Sequence, residues 1–557
     1  MVSAKGWTDS IYSYNQSDPY IRQVRAQPPH MVKLPLGSRA ESIGCRQAGG
    51  GTYNPGMAAT RVVELERKFD VEEEAFLPSP QDLPGVARVD RPVERRLDAQ
   101  YFDTEDLRLA SARISLRRRT GGDDAGWHLK LPAGPDERTE FREPLGDQAD
   151  SVPGALLGLV RVHTRDRALV PVARLKTRRL VYRLRDKDNA VLAEFCDDRV
   201  QSESLGQKPG TLRWREWEIE LVAGSRALLE SVQDRLTGAG VRPSAYQSKL
   251  ERALNLDPFS TEPAPKRKGP AGAVMLAYLR QQVKELKDQD PLVRQDAHDA
   301  VHKMRVATRR MRSVLATYRK LLDDAETVTF LRSELKWLAG VLGQARDAEV
   351  MHARLKYMVA EEPGELVMGP VTRRVDLELG GAYKEAHAKA LEALDGTRYF
   401  RLLDALEAMI AAPPFAPLAS KAAGKVIPRL VQRDVKRLRT AARAAKRQSA
   451  GTGDHPALHE ARKDGKRLRY AAEAAAPVNP KQAARLADAA HSVQKVLGDH
   501  QDSVVTRELL RRLGAEAFTL GENGFSYGRL HALEQAAALE AESRFHREWK
   551  KFHNVPL

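Results

Sequence analysis

The hydrophobic period of this chain changes once along its 557 residues, and that change limits the fold more than any other feature. Before the segment Asp257–Pro270, DPFSTEPAPKRKGP, apolar and charged residues alternate with a period of two, as in half-buried strands. After it, Ala-, Leu- and Arg-rich stretches repeat with the period of a helix. Proline fixes φ and removes an amide donor, so the segment itself resists both structures and reads as a linker. The pattern predicts an α+β multidomain chain, with a β domain over 57–256, a linker over 257–270 and an all-α domain over 271–557. Residues 1–56 are polar, rich in Gly, Ser, Gln and Pro, and hold no sustained period, which predicts a disordered extension ahead of Met57.

Composition narrows the class. Two cysteines, Cys45 and Cys196, are too few for a disulfide scaffold or a Cys-rich zinc module. No apolar run approaches the ~18 residues of a membrane span. The N-terminus lacks the basic-then-apolar pattern of a secretory signal. The expectation is a soluble, cytoplasmic protein with no membrane partner. Its net charge of +16 points to a polyanion. Residues 271–557 hold 48 Lys+Arg against 36 Asp+Glu, so most of the excess lies in the helical half.

Several strands carry their charges on one face. Residues i, i+2 and i+4 of a strand point to the same side. In Val62–Phe69, Glu64, Glu66 and Lys68 share one face, and Val63, Leu65 and Phe69 the other, with Arg67 among them. In Trp214–Leu221, Glu216, Glu218 and Glu220 oppose Trp217, Ile219 and Leu221. Arg117 and Arg119 pair in Ile114–Thr120, His128 and Lys130 in Trp127–Leu131, and Thr177, Arg179 and Arg183 in Leu175–Leu184. One such strand is an ordinary sheet with a solvated face. Five of them, two acidic and three basic, predict an antiparallel β-barrel whose inner wall carries both signs. Carboxylates suit Mg²⁺ or Mn²⁺, and Arg and Lys suit phosphate oxygens, so the lumen fits a metal-bound polyphosphate.

The ELERKF run at Glu64–Phe69 resembles the ExExK motif of the CYTH family, the triphosphate tunnel enzymes. YFDT at Tyr101–Thr104, SLRRR at Ser115–Arg119, WHLKLP at Trp127–Pro132, KTRRLVYRL at Lys176–Leu184, EFCDDRV at Glu194–Val200, WEIEL at Trp217–Leu221 and SKL at Ser248–Leu250 follow in the matching order, over about residues 60–256. The resemblance implies that Glu64, Glu66, Glu218 and Glu220 bind a divalent metal, with Asp197 a further ligand. It implies that Glu64, Glu66 and Lys68 serve catalysis. Lys68, Arg117, Arg119, Lys130, Arg179, Arg183 and Lys249 would hold the triphosphate. Asp198 competes with Asp197, because a one-residue change of register exchanges their faces. Glu216 falls outside the two-glutamate pattern, and Tyr101 and Asp103 read as structural.

The helical half is duplicated. His302–Arg312 reads HKMRVATRRMR and His459–Arg469 reads HEARKDGKRLR. Aligned, His302 meets His459, Arg305 meets Arg462, Arg309 meets Lys466, Arg310 meets Arg467 and Arg312 meets Arg469. About 40 residues after each comes a Leu-Gly pair and then an acid: Leu342, Gly343 and Asp347 in the first copy, Leu497, Gly498 and Asp502 in the second. The offsets are 157 and 155 residues, too long for a solenoid repeat. His302, Arg305, Arg309 and Arg312 run at +3, +4, +3, one stripe of a helix. Like charges at i, i+4 oppose a helix by about 0.2–0.5 kcal/mol per pair, a cost that an anionic ligand removes. A third basic helix, about Val426–Lys446, carries Arg429, Arg433, Lys436, Arg437, Arg439 and Arg443.

This half resembles the CHAD domain, a helical domain named for its histidines. The HxxRxxxRR pattern of the first copy matches it. The second copy departs, with Lys466 in place of Arg and Gly465 inside the helix, where glycine costs roughly 1 kcal/mol against alanine and leaves the straightness of that helix open. The resemblance implies two pseudo-symmetric helical bundles whose basic groove or pore binds inorganic polyphosphate through His302, Arg305, Arg309, Arg312, Arg433, Arg437, His459, Arg462, Lys466 and Arg469. The leading expectation is therefore a metal-dependent inorganic triphosphatase with a polyphosphate-binding helical domain, cytoplasmic or on polyphosphate granules. A class IV-type adenylate cyclase and a non-catalytic polyphosphate scaffold remain as alternatives. A nucleic-acid partner ranks below these, because aromatic residues make up 6% of the chain and the stripes 302–312 and 459–469 contain none.

Overall fold

The structure is a computed structural model that describes residues 60–553, apart from 78–82, 135, 147–150, 207–208, 257–262 and 448–455. The expected N-terminal extension and the first part of the linker lie outside the described residues. The chain divides into two compact units, Tyr53–Glu262 and a second that contains Pro263–Leu557.

The first unit is a closed antiparallel barrel. Its strands are β1 (Thr60–Val71), β2 (Arg88–Val89), β3 (Val93–Asp103), β4 (Ser115–Thr120), β5 (Gly126–Pro132), β6 (Glu137–Glu143), β7 (Val170–Arg185), β8 (Val191–Ser204), β9 (Gly210–Leu221) and β10 (Arg242–Pro243). The eight long strands run β1-β6-β5-β4-β3-β7-β8-β9, and β9 returns to pair with β1. Strand β1 makes the seam. Its first half, Thr60–Leu65, pairs with β6, and its second half, Glu66–Val71, pairs with β9. Closure removes the exposed edges that an open sheet would offer to other chains.

Alternation then sorts every strand. The outer faces carry the apolar side chains and the short helices cover them. Phe69, Leu184, Phe195, Trp217 and Ile219 pack under α3 (Arg226–Gly238), through its Leu228, Leu229, Val232 and Leu236. On the other side Leu116, Trp127, Leu129 and Phe141 pack with α1 (Arg108–Ser111) and α2 (Gly154–Thr164). The charged faces turn inward. At one end of the lumen Ala99, Tyr101, Leu175, Val200 and Trp214 meet Leu250 and Ala253 of α4 (Lys249–Ala253), which closes that end. Asp103, read as structural, is buried, and its carboxylate accepts from the amides of Thr104, Leu109 and Ala110, fixing the start of α1.

The second unit is helical: α5 (Ala271–Arg294), α6 (Ala300–Thr317), α7 (Ala325–Glu361), α8 (Val371–Leu394), α9 (Thr397–Ala411), α10 (Ala423–Arg447), α11 (Pro456–Ala474), α12 (Pro480–Thr519) and α13 (Phe525–His553). The two copies of the basic motif fall on α6 and α11, and the two Leu-Gly pairs on α7 and α12. The copies meet: the Tyr318 hydroxyl, just after α6, donates to the Ala471 carbonyl of α11 at 2.8 Å. Farther along, Met351, Leu355, Val375, Leu509, Leu513 and Tyr527 form one core from α7, α8, α12 and α13. Helix α11 runs unbroken through Gly465, which is buried against Ala490 and Gln494 of α12. Among the described residues no helix is long and apolar enough to cross a membrane.

Candidate functional site

The inner faces of the barrel surround a cavity of about 70 Å³. Glu64, Glu66 and Lys68 of β1, Arg117 and Arg119 of β4, Lys130 of β5, Arg179 of β7, Glu218 and Glu220 of β9 and Lys249 of α4 all line it. Eight cationic side chains in that lining face six carboxylates. Each sign is held by the other. Lys68 bridges Glu66 at 3.0 Å and also contacts Glu218. Lys130 contacts Glu64 and lies 3.8 Å from Glu140. Arg179 donates to both oxygens of Asp198, at 2.7 and 2.6 Å, and to Glu218 at 2.5 Å. Arg119 pairs with Asp124, and the Arg117 guanidinium donates to the Tyr101 hydroxyl at 3.3 Å.

Two expected residues fall elsewhere. Asp197 points to the outer face, where Arg215 grips it with two hydrogen bonds of 2.8 Å. The inward position belongs to Asp198, fully buried and held by Arg179 and by Lys249 at 2.9 Å. The pairing of β8 with β9 sets Asp197 opposite Trp217 and Asp198 opposite Glu216, and this register decides the face. Arg183 lies farther up β7, paired with Glu194 at 3.0 Å and outside the cavity lining.

The lumen contains two acidic groupings, and they differ. The carboxylates of Asp198, Glu216 and Glu218 converge within 4.8 Å. The Lys249 ammonium already sits among them, at 2.9, 2.7 and 2.7 Å, so a lysine supplies the cation there. The second grouping is Glu64, Glu66 and Glu220. Glu66 lies directly opposite Glu220 across the β1–β9 pair, an arrangement that repels unless a cation intervenes. Among the described residues, Glu220 makes none of the ion pairs that hold the other tunnel glutamates. Burial, opposed by Lys130 and reinforced by Glu64 and Glu66, pushes its carboxyl up to about 7. Lys130 and Arg142 contact Glu64, and Lys68 and Arg138 contact Glu66, so Glu220 is the carboxylate left short of positive charge. The all-oxygen set of the three fits a hard divalent cation such as Mg²⁺ or Mn²⁺.

At Glu66 and Lys249 the pairing wins. Burial raises Glu66, but Lys68, Lys130 and Arg138 outweigh it and hold the carboxyl at about 2. Burial opposes charge on Lys249, yet Asp198, Glu216 and Glu218 keep it protonated. Arg119 is the exception among the cations: burial, then Arg117 and Arg179, lower it to about 9. A guanidinium crowded by two other arginines is suited to receive an anion.

In the helical unit the duplicated stripes are turned into the domain. Arg305 and Arg462 occupy matching places and are each 1% exposed. Arg305 donates from Nε to the Ala339 carbonyl at 3.2 Å and lies 3.7 Å from Asp347. Its guanidinium passes over Gly343, where a Cβ would come within 3.2 Å, so the Leu-Gly element makes room for the His/Arg element. In the second copy the charge of Arg462 acts on Asp502, which burial raises to about 7 against that pull. Arg309 and Lys466 are also buried, while Arg312 is half-buried. His302 is held neutral, at about 3, by burial and then by Arg346, Arg309 and Arg305. His459 shares a 3.1 Å hydrogen bond with Gln501, and Arg469 reaches Glu473 and His491, both at 2.9 Å. Arg433 and Arg437 are exposed on α10 and do not join this interior group.

Comparison with known proteins agrees with this division. The family model for the CYTH domain matches residues 63–244, and that for the CHAD domain matches residues 277–511. An uncharacterized protein of Mycobacterium tuberculosis, strain CDC 1551 / Oshkosh, is 42% identical over 493 residues, 85% of this chain and 93% of its own length. The chain belongs to the CYTH–CHAD family. Solved structures with similarity to this chain include the CHAD domain from the plant Ricinus communis, 24% identical over 54% of this chain and 98% of that one, with a TM-score of 0.43. PptA from Streptomyces chartreusis is 24% identical over 50% of this chain and 99% of its own, with a TM-score of 0.42.

Sequence reasoning missed a whole strand of the CYTH tunnel. Strand β6, ERTEFRE, brings Arg138, Glu140 and Arg142 to the lumen. Glu140 is fully buried, bonded to His128 Nδ1 at 3.0 Å and contacted by Arg142. Burial raises its carboxyl, but the hydrogen bond from His128 and the charges of Lys130 and Arg117 hold it ionised. The strand's own alternation, with Thr139 and Phe141 on the other face, carried the signal.

Proposed function

We propose that the CYTH tunnel is a divalent-metal-dependent triphosphatase acting on inorganic triphosphate, and that the CHAD domain binds inorganic polyphosphate. The observation that carries the first half is the closed lumen itself, where Glu64, Glu66 and Glu220, the last of which makes no ion pair among the described residues, stand beside Arg117, Arg119, Lys130, Arg179 and Lys249. Glu64, Glu66 and Glu220 would hold the metal, which when bound neutralises phosphoryl oxygens and the charge that builds on them during transfer.

The chain's own groups do the rest. Every lumen cation now leans on a carboxylate, so the site is assembled before substrate arrives. A triphosphate replaces those carboxylates as the partner of Arg117, Arg119, Arg179, Lys130 and Lys249. Arginine's planar fork fixes two oxygens at once, and the lysines act as point charges. The wall is largely buried, so these interactions are worth more than in water. Water attacks the terminal phosphorus, the P–O–P bond breaks, and orthophosphate leaves the shortened phosphate. Among the described residues Tyr101 is the one aromatic in the lining, and its hydroxyl is held by Arg117. The lumen therefore offers a purine little to stack on, which favours the inorganic substrate over ATP.

The test is phosphate release by the full chain from tripolyphosphate, ATP and thiamine triphosphate, with Mg²⁺ or Mn²⁺, beside Glu64→Gln/Glu66→Gln. Release fastest from tripolyphosphate and lost in the variant supports the reading. Pyrophosphate and cyclic AMP formed from ATP would make the tunnel a cyclase. No turnover of any substrate, with polyphosphate binding retained, would make the protein a scaffold.

A further inference from the structure

Helix α10 and helix α5 hold the same place in the two copies of the CHAD repeat, each leading into its His/Arg helix, yet their charges differ. Helix α5 carries four Lys and Arg against three acids, and three of its cations are neutralised in place: Arg294 pairs with Asp290 at 2.6 Å, Lys284 with Asp288 and Lys287 with Glu407 at 2.5 Å. Helix α10 carries nine Lys and Arg and a single acid, Asp434. That acid is buried and already taken, by Arg467 at 2.9 Å and by the Thr317 hydroxyl. Among the described residues, none of the nine cations of α10 forms an ion pair. All but Arg439 are exposed.

The arrangement is linear. Lys425, Arg429, Arg433 and Arg437 follow at steps of four and form one stripe. Arg439, Arg443 and Arg447 continue it around the helix toward its end. Twenty-five residues at 1.5 Å each give a track about 37 Å long. Each like-charged neighbour in it costs the free helix about 0.2–0.5 kcal/mol, which a bound polyanion relieves.

We propose that the outer face of α10 is the docking track on which the CHAD domain receives long phosphate chains, separate from the interior stripes of α6 and α11. The inference deepens the polyphosphate-binding reading above and rests on it. The interior arginines Arg305 and Arg462 are each 1% exposed, and Arg305 is engaged with the Ala339 carbonyl and Asp347, so a long chain in solution meets α10 first. The chemistry of the track selects among polyanions. Its 25 residues include no aromatic side chain for stacking a base, so a nucleic acid would gain only backbone contacts. Its apolar side, including Ile427, Leu430, Val435 and Leu438, is buried in the domain, so no face is left to enter a lipid surface.

The experiment measures binding of long-chain inorganic polyphosphate to the full chain across a salt series. It compares wild type, Arg429→Gln/Arg433→Gln/Arg437→Gln on the track, and Arg309→Gln/Lys466→Gln on the interior stripes, with thermal melting to establish that each is folded. The track variant is expected to bind at least tenfold more weakly, with the slope of log affinity against log salt shallower by roughly one unit per cation lost. Wild-type affinity retained in the track variant, with loss in the interior one, would overturn the track and leave the polyphosphate reading standing. A wild-type chain that does not bind polyphosphate would overturn both. A track variant that loses duplex DNA but keeps polyphosphate would assign α10 to nucleic acid instead.

Discussion

At Gly343 the CHAD domain depends on the absence of one carbon. A Cβ there would meet Arg305 at 3.2 Å from Nε and 3.3 Å from Nη2. Arg305 is fully enclosed and cannot step aside without losing its bond to Ala339. Gly343→Ala is therefore expected to destabilise the chain by about 1–3 kcal/mol, the cost of overpacking a filled core. Gly340, one turn earlier on the same helix, has nothing near its Cβ position. Gly340→Ala is expected to gain up to about 1 kcal/mol from helix propensity. Urea titrations of the two variants decide it, and a gain in both would mean that Arg305 yields freely. A second residue sets a pH dependence. Burial raises Asp502 to about 7, opposed by Arg462 and Arg354, helped by Asp499 and opposed again by Lys466. A carboxyl raised in the folded state holds its proton more tightly there than in the unfolded chain. Its contribution to stability is present in full below the usual aspartate range and is lost as pH rises through about 7. Between those limits the site removes roughly 1.4 kcal/mol per pH unit. Asp502→Asn should therefore flatten the fall in unfolding free energy between pH 5 and pH 8, and equal slopes in the two proteins would rule the site out.

At the scale of elements, the seam of the CYTH barrel carries the next prediction. Where β1 leaves β6 and joins β9, Glu66 and Glu220 face one another across the pair. Mg²⁺ or Mn²⁺ at a hundred times its dissociation constant is expected to stabilise the wild-type chain by about 2.7 kcal/mol, read as a rise in melting temperature without any substrate. Glu220→Gln should remove that rise while leaving the metal-free protein folded; an unchanged rise would place the metal elsewhere. The same seam marks what the sequence could show. Alternation on β1 and β9 holds apart from Arg67 and Arg215 on the outer faces, so Glu64, Glu66, Glu218 and Glu220 were legible as one inward wall. The Leu-Gly and His/Arg elements were legible as a duplication, although only packing shows that one makes room for the other. On β8 the run Cys196, Asp197, Asp198 offers an acid to either face, and only pairing with β9 selects Asp198. Burial was the other hidden quantity. Helical spacing put Arg305 and Arg309 on one stripe, but it carries no sign of whether that stripe faces solvent or a neighbouring helix.

For the whole molecule, the two domains should answer salt differently. The tunnel's cations are enclosed and matched by carboxylates, and buried pairs are screened little. The net charge of +16 lies mostly in the CHAD half, and there α10 alone adds nine cations and one acid. Binding of a polymer at such a surface releases condensed counterions, and a ligand making six phosphate contacts loses about 10³-fold in affinity between roughly 50 and 200 mM salt. Polyphosphate binding is therefore expected to weaken by two to three orders of magnitude over that range, while KM for tripolyphosphate changes by less than about tenfold, since its contacts lie inside the barrel wall. Measuring both in one salt series on the full chain separates the sites without dissecting the protein. Parallel losses would mean that the small substrate reaches the tunnel only through the basic exterior. A salt-independent polymer affinity would mean that the chain is held in an enclosed site, and that the exposed charge of α10 serves something other than capture.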